Sequence, residues 1–170
     1  MTFLSSPERA RWALLHLVVL LLFLCLLPGA RAVSLNGAVD NTSLTFTTPT
    51  GYWVPEEGTT AKDGVDSLTG QGIGGQVAEL RTTVQGPGWL VFWSYMVSGS
   101  GSTLVVDGVT VTNLYNVINW SHDGVQLSAG SHQVIWRVPA NNTLRLDMIS
   151  LSSDLTRPLT AVLPGWTWMN

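Results

Sequence analysis

The sequence predicts an all-β domain, a two-sheet antiparallel β-sandwich that follows an N-terminal signal-peptide helix. Two observations favour this fold class. Gly, Ser, Thr, Asn and Asp interrupt the chain about every 8–12 residues, and short runs rich in Val, Leu, Thr and aromatic residues lie between them. Beyond the N-terminal segment, no stretch keeps apolar residues at positions i, i+3, i+4 and i+7 over three turns, so we expect little helix and about nine strands.

The first 32 residues have the organisation of a secretory signal peptide. Arg9 and Arg11 precede an apolar run of about fifteen residues, and Ala30-Arg31-Ala32 forms a small-residue cleavage site. The run is shorter than the roughly twenty residues of a membrane-spanning helix. We therefore expect cleavage after Ala32, a secreted, extracellular chain and no membrane association after cleavage. The alternative is a signal peptide that is retained as an anchor.

Cleavage changes the composition of the chain. Its single cysteine, Cys25, is removed, so the remaining chain forms no disulfide and no thiolate metal site. Ten acidic and five basic residues remain, a net charge of about −5. With so few Lys and Arg residues, the chain cannot neutralise a phosphate backbone, which excludes nucleic acid as a partner. We expect one β-sandwich domain over residues 33–152 and a C-terminal tail over residues 153–170.

The first strands of the domain are predicted from alternation. Leu44–Thr48 alternates apolar and polar residues and ends at Pro49. Val77–Val84 is a second such run, and Gly86-Pro87-Gly88 is expected to end it. Trp89–Val97 is apolar on both faces, which predicts a central strand that is covered on both sides.

The second half of the domain carries the strongest local pattern. Asp107-Gly108 stands between Thr103–Val106 and Val109–Thr112, which predicts a β-hairpin with a type I′ turn. His132–Val138 and Leu144–Leu151 are predicted to be two further strands.

Several of these segments occur in an order that resembles a known class of module. They are Asp63–Gly70, Leu80–Gly88 with its Gly-Pro-Gly, Val91–Trp93, Thr103–Gly108, Trp120 and Leu127–Trp136 with its Ala-Gly-Ser-His. The chain resembles jelly-roll modules of bacterial secreted and surface proteins, the lectin-like class that includes concanavalin A-like, galactose-binding-like and cleaved-adhesin-like domains. The resemblance covers roughly Gly51 to Leu151. It implies a jelly-roll sandwich that is not catalytic and that serves adhesion or carbohydrate binding.

The tryptophans divide into two groups. Trp89, Trp93 and Trp136 alternate with apolar residues of their strands, so we expect them in the core. Other aromatic residues lie among polar and turn-forming residues, where packing explains them less well. If the domain binds a glycan, we expect the ligand-binding residues to be Tyr52, Trp53, Tyr115, Asn119, Trp120, His122 and Asp123.

Metal binding and catalysis have weaker support in the sequence. Asp63, Asp66 and Asp147 supply oxygen ligands that suit a structural calcium ion, as jelly-roll modules often hold. The alternative is that Asp residues in such Gly-rich turns cap backbone amides. No serine-hydrolase or metalloprotease motif occurs, and the Glu residues show no clustered acid pattern, so we expect no enzyme.

Three functions therefore follow from the sequence, in decreasing order of support. The first is a secreted carbohydrate-binding module whose partner is a glycan. The second is an adhesive or structural surface module whose partner is a cell-surface protein, with Trp166 and Trp168 of the tail in the contact. The third is a glycoside hydrolase on a concanavalin-like sandwich, which requires two carboxylates about 5–10 Å apart.

Overall fold

The computed structural model describes residues 33–58, 60–115 and 119–153. The predicted signal peptide and residues 154–170 of the predicted tail lie outside the described residues. Within the described ranges, no helix has the length and apolar character that a membrane crossing requires.

Antiparallel β-strands make up most of this part of the chain, as predicted. One 3₁₀ turn at Gly37–Val39 precedes them. The strands are β1 (Thr47–Thr50), β2 (Tyr52–Glu57), β3 (Asp66–Gln71), β4 (Ala78–Ser98), β5 (Ser102–Val106), β6 (Val109–Leu114), β7 (Ser121–Val138) and β8 (Thr143–Ser152). Every pairing between these strands is antiparallel. The all-β prediction is confirmed for the described residues.

The strands form one hydrogen-bonded sheet in the order β2-β3-β8-β4-β7-β5-β6, with β1 also paired to β4. Two long strands, β4 and β7, divide this sheet into halves. The first half-sheet contains β2, β3, β8, the second part of β4 and the first part of β7. The second half-sheet contains β1, the first part of β4, the second part of β7, β5 and β6.

The Gly-Pro-Gly segment does not end a strand, which corrects the prediction. β4 continues through it, and its register with β7 shifts between Gly86 and Gly88. A Cβ atom on Gly86 would lie 1.9 Å from the Ser128 carbonyl oxygen, and one on Gly88 would lie 2.6 Å from that of Ser152. The two glycines therefore let neighbouring backbone approach closely at a bulge, where a proline is also tolerated.

The core contains alternate residues of the long strands. In β4 the buried side chains include Leu80, Leu90 and Phe92. The ring centroids of Phe92, on the first half-sheet, and Trp136, on the second, are 5.5 Å apart at an interplanar angle of 87°. The ring centroid of Phe46 lies 6.3 Å from that of the same tryptophan. Trp136 therefore joins the two half-sheets from inside.

Two of the three tryptophans predicted in the core lie elsewhere. Trp136 is fully buried, but Trp89 and Trp93 are only half-buried. Successive residues of a strand point to opposite faces. Since Leu90 and Phe92 face the core, Trp89 and Trp93 face away from it. The run Trp89–Val97 is central, as predicted, with β7 at one edge and β8 at the other. The prediction that both of its faces are covered is wrong, because Trp89, Trp93 and Tyr95 are only half-buried.

The Asp107-Gly108 hairpin is confirmed. Both residues have positive φ, 50° and 82°, as a type I′ turn requires, and they connect β5 to β6. The strand predicted at Leu44–Thr48 is displaced: β1 includes Pro49, because it pairs only with β4 and leaves its other edge free for a proline.

Candidate functional site

The solvent-facing side of the first half-sheet carries two adjacent rows of side chains, which we call the outer face. Cross-strand pairing aligns most residues of each row, and Trp120, which directly precedes β7, joins the first row through its contact with Tyr95. The first row is Val54, Thr69, Arg145, Tyr95 and Trp120. The second row is Glu56, Ser67, Asp147, Trp93 and His122. The outer face is thus aromatic on β4 and β7 and polar on β3 and β8.

Tyr95 and Trp120 are the aromatic pair of the first row. Their ring centroids are 5.8 Å apart and the rings are tilted by 40°. Both side chains are half-buried, so part of each ring is open to solvent. Trp120 was predicted as a ligand-binding residue, and the structure adds Tyr95 beside it.

Arg145 lies beside the aromatic pair, opposite Tyr95 on the neighbouring strand. Its Nε donates to Thr69 Oγ1 at 3.3 Å, and its Nη2 lies 3.0 Å from Glu56 Oε2. The Arg145 side chain is 18% exposed and that of Glu56 38%. These two contacts hold a planar, charged donor group next to the aromatic rings.

Trp93, in the second row, is covered by side chains of this chain. The His122 ring stacks on it with centroids 4.7 Å apart and an angle of 24°. Lys62 Nζ lies 4.1 Å from the centroid of the Trp93 ring, a cation–π contact. Burial, and then the charge of Lys62, lower the pKa of His122, so its imidazole is neutral at neutral pH. Trp93 therefore offers less ring surface to a ligand than the aromatic pair.

Asp147 is fully buried beneath the loop that contains Lys62. Its Oδ2 accepts a hydrogen bond from the Lys62 amide at 2.8 Å. Its Oδ1 and the Ser67 hydroxyl are both buried without a hydrogen-bond partner among the described residues. Burial, together with the nearby carboxylates of Asp63 and Asp40, raises the pKa of Asp147 to about 6, although two backbone amides act in the opposite direction.

The raised pKa of Asp147 predicts that stability falls as pH rises. Its carboxyl group binds a proton more tightly in the folded chain than at its ordinary pKa of 3.8. That preference favours folding at about pH 4 and is lost as pH passes about 6. We expect a loss of about 1–2 kcal/mol between pH 4 and 7.5. Urea unfolding across this range measures it.

The matched control for this pH effect is Asp147→Asn. The amide oxygen still accepts from the Lys62 amide, but the side chain no longer titrates. We expect a flatter pH dependence for this variant than for the wild type. Equal slopes in the two proteins would contradict the assignment to Asp147.

The remaining predicted ligand-binding residues do not gather at one place. Tyr52 and Tyr115 are 58% and 66% exposed, on β2 and after β6, and Asn119 is exposed beside Trp120. The predicted placement of Trp53 in an exposed loop is wrong, because its side chain is buried, with 5% exposed. Its ring lies over Gly70, where a Cβ atom would come within 2.5 Å of it. Trp53 belongs to strand β2 and not to a loop, so its side chain is part of the core.

Asp123 also differs from the prediction that groups it with Trp120 and His122. It is adjacent to His122 in β7, and strand alternation turns it to the opposite face. There its Oδ2 accepts from Ser94 Oγ at 2.5 Å, and its Oδ1 lies 3.5 Å from Ser121 Oγ. Burial raises its pKa despite these two hydrogen bonds. Asp123 is therefore not on the outer face.

The three carboxylates predicted to bind calcium do not form a metal site. Among the described residues, no group of three or more His, Cys, Asp or Glu side chains is placed to hold a metal ion. Asp63 Oδ1 instead accepts from the Val65 amide at 2.7 Å, the backbone-capping alternative. Burial, and then repulsion from the carboxylates of Asp40 and Asp63, raise the pKa of Asp66.

A Ser-His-Asp contact at the β5–β6 hairpin was not predicted. His132 Nδ1 lies 2.7 Å from Asp107 Oδ2, and its Nε2 lies 3.3 Å from Ser128 Oγ and 3.0 Å from the Ser128 carbonyl oxygen. A carboxylate and a carbonyl both require a proton on the ring nitrogen they contact, and these contacts raise the pKa of His132. The contacts with Asp107 and Ser128 therefore favour the protonated imidazole, which ties the hairpin turn to β7.

Sequence reasoning also missed Tyr95, Arg145 and Lys62. Tyr95 lies in a run that is apolar on both faces, so alternation alone did not assign it to solvent. Arg145 lies inside a predicted strand, and a charged residue at that position indicates a solvent-facing side. Lys62 has no local pattern, because only the fold of its loop brings it over Trp93.

No protein-family model and no curated protein matches this chain. Among solved structures, it is similar to TmCBM61, solved in complex with β-1,4-galactotriose, with a TM-score of 0.49 and 9% identity over 73% of this chain and 97% of that chain. It is also similar to a family 16 carbohydrate-binding module, with a TM-score of 0.48 and 12% identity over 64% of this chain and 90% of that chain.

A third similar structure is the K2 cleaved adhesin domain of Lys-gingipain, with a TM-score of 0.46 and 15% identity over 67% of this chain and 92% of that chain. The similar structures thus include carbohydrate-binding modules and an adhesin domain, the classes of module that the sequence resembles.

Proposed function

We propose that this chain is a secreted, extracellular and non-catalytic carbohydrate-binding module, with its two half-sheets forming a jelly-roll sandwich. The observation that carries this proposal is the partly exposed aromatic pair, Tyr95 and Trp120, on the outer face beside Arg145. A glycan bound there is its partner.

The outer face combines the two kinds of contact that a sugar ring needs. The partly open rings of Tyr95 and Trp120 pack against the C–H face of a sugar. The remaining N–H groups of Arg145, the second oxygen of Glu56 and the exposed amide of Asn119 hydrogen-bond to hydroxyl groups. Because the ion pair already fixes Arg145, little side-chain entropy is lost on binding.

The state of the carboxylates on the outer face supports a non-catalytic role. Glycosidases need two carboxyl groups that face the scissile bond from a cleft. Here Glu56 is paired with Arg145, and Asp147 is fully buried beneath the Lys62 amide. Neither is placed to act as an acid or a nucleophile toward a sugar on the aromatic pair.

The test is to replace Trp120 by Ala and to titrate the purified chain with neutral polysaccharides, β-1,4-galactan included. We expect saturable binding by the wild type, followed by calorimetry or tryptophan fluorescence. The variant should bind at least roughly tenfold more weakly, because one stacking surface is lost.

Trp89→Ala is the matched control. Trp89 is also half-buried on β4 but lies six residues from Tyr95, about 20 Å along the strand. We expect it to bind like the wild type, with circular dichroism confirming that both variants fold. Absence of saturable binding by the wild type would refute the proposed function. Equal binding by wild type and Trp120→Ala would refute the aromatic pair as the site.

A further inference from the structure

A polar cleft opens on the second half-sheet, away from the residues of the outer face. Its volume is about 480 Å³, within the range of small-ligand sites. It is lined by Ser43, Leu44, Thr45, Thr47, Arg81, Thr82, Thr83 and Gln133. We call this the Arg81 cleft.

One wall of the Arg81 cleft, residues 43–47, is fixed by core packing and by hydrogen bonds to Asn41. Phe46 points into the core against Trp136, which turns the neighbouring Thr45 and Thr47 outward. Asn41 fixes the start of the wall: its Oδ1 accepts from the Ser43 amide and the Leu44 amide, both at 2.9 Å. The hydroxyl groups of the wall are therefore in place before a ligand arrives.

The cation of the cleft is oriented by Glu79. Arg81 donates to Glu79 Oε2 through Nε at 2.9 Å and also through Nη2. Glu79 Oε1 accepts from Arg137 Nε at 2.8 Å. Burial favours the neutral acid, but the hydrogen bonds and charges of the two arginines lower the pKa of Glu79, which therefore stays ionised. One carboxylate is shared by two guanidinium groups, which leaves a local excess of one positive charge.

The donor set of the cleft points to an anionic ligand. Its polar lining consists of hydroxyl groups, one amide and one guanidinium, and no carboxylate is among the lining residues. The hydroxyls of Thr45, Thr47 and Thr83, the Gln133 amide and the Arg81 guanidinium can each donate a hydrogen bond, whereas the Ser43 hydroxyl already donates to Asn41 Oδ1 and the Thr82 hydroxyl is buried. The remaining N–H groups of Arg81 make no hydrogen bond to any described residue, and its side chain is 38% exposed. The whole chain has a net charge of −3, so the positive charge here is local.

We infer that the Arg81 cleft binds the anionic group, a carboxylate or a sulfate, of an acidic polysaccharide. The Arg81 guanidinium pairs with the anion, and the threonine hydroxyls and Gln133 complete its hydrogen bonds. The choice of a polysaccharide rests on the proposed function, whereas the preference for an anion rests on the cleft alone.

The test compares two arginine variants with three polymers. Wild type, Arg81→Gln and Arg137→Gln are titrated by calorimetry with polygalacturonate, dextran sulfate and neutral β-1,4-galactan. Both variants remove one positive charge next to Glu79, but only Arg81 lines the cleft. We expect Arg81→Gln to weaken binding of an acidic polymer by roughly tenfold or more, and Arg137→Gln to weaken it by less than about threefold.

Each outcome of this test decides the inference. Polygalacturonate and dextran sulfate distinguish a carboxylate ligand from a sulfate ligand. Equal losses in the two arginine variants would indicate general charge attraction and overturn the cleft as the site. Binding of neither acidic polymer would also overturn it.

A second variant tests the cleft in case Arg81→Gln does not fold. Thr83→Val keeps the shape of the residue and removes one hydroxyl of the cleft, and we expect the affinity for the acidic polymer to fall about threefold.

Trp120→Ala separates this inference from the proposed function. If Trp120→Ala leaves binding of the acidic polymer intact while Arg81→Gln removes it, and no neutral polysaccharide binds, the Arg81 cleft stands and the aromatic pair fails. If only neutral galactan binds, in a Trp120-dependent manner, the reverse holds.

Discussion

Replacing Trp136 by Ala should lower the free energy of unfolding by about 3–5 kcal/mol, the largest stability loss we expect. Trp136 is fully buried and contacts both Phe92 and Phe46. Burying a side chain of this size contributes roughly 4–6 kcal/mol at 25 cal/mol per Å². Its removal leaves a cavity between the two half-sheets, and the chain, whose only cysteine is Cys25, has no disulfide to offset the loss. Urea unfolding followed by circular dichroism measures the loss.

Two further variants keep this prediction testable if Trp136→Ala does not fold. Trp136→Phe retains an aromatic ring and removes Nε1, which has no hydrogen-bond partner among the described residues. We expect a smaller loss, about 1–2 kcal/mol. Trp120→Ala, on the solvent-facing side, should cost less than Trp136→Ala. Equal stability losses for Trp120→Ala and Trp136→Ala would contradict the central role of Trp136.

Asn41→Ala is expected to have the second-largest effect on stability, about 2–4 kcal/mol. Asn41 is 8% exposed, and its Nδ2 donates to the Ile149 carbonyl oxygen at 2.9 Å. Its Oδ1 accepts from the amides of Ser43 and Leu44. Alanine would leave these backbone groups without partners and would detach the segment before β1 from β8. Chemical denaturation provides the measurement.

Thr42→Ala is the matched control for Asn41→Ala. Thr42 is the exposed neighbour of Asn41, and a surface substitution of this kind should stay within about 0.5 kcal/mol. A loss under 1 kcal/mol for Asn41→Ala would show that water replaces the lost hydrogen bonds. Because Asn41 also holds the wall of the Arg81 cleft, its variant should bind acidic polymers more weakly, even where it is folded.

Local sequence patterns correctly predicted the strands that are defined by turn residues and by apolar runs. The Asp107-Gly108 hairpin is confirmed because its two positive-φ positions need no help from the rest of the chain. The central strand at Trp89–Val97 and the strands that include His132–Val138 and Leu144–Leu151 are confirmed as well. In each case an apolar run bounded by turn residues was enough.

Other elements depended on partners that a local pattern does not contain. β2 and β3 are rich in polar and turn-forming residues, yet both are paired strands, because β3 pairs with β8 and β2 with β3. Trp53 was therefore predicted to be exposed because its sequence neighbours are polar, although its side chain is buried. Likewise, Gly86-Pro87-Gly88 predicted the end of a strand, but β4 continues through it. The local pattern does not contain the reason, because the carbonyl groups that approach these glycines come from β7 and β8.

The sequence by itself determined that residues 33–152 include an all-β domain with few basic residues, and it identified Trp120 among the aromatic residues worth testing. Only the tertiary structure decided which residues stand beside Trp120. Tyr95, Arg145 and Glu56 come from three different strands, and the Arg81 cleft joins residues 43–47 to residues of β4 and β7. Cross-strand neighbours are set by pairing register, and register depends on contacts between residues far apart in the chain.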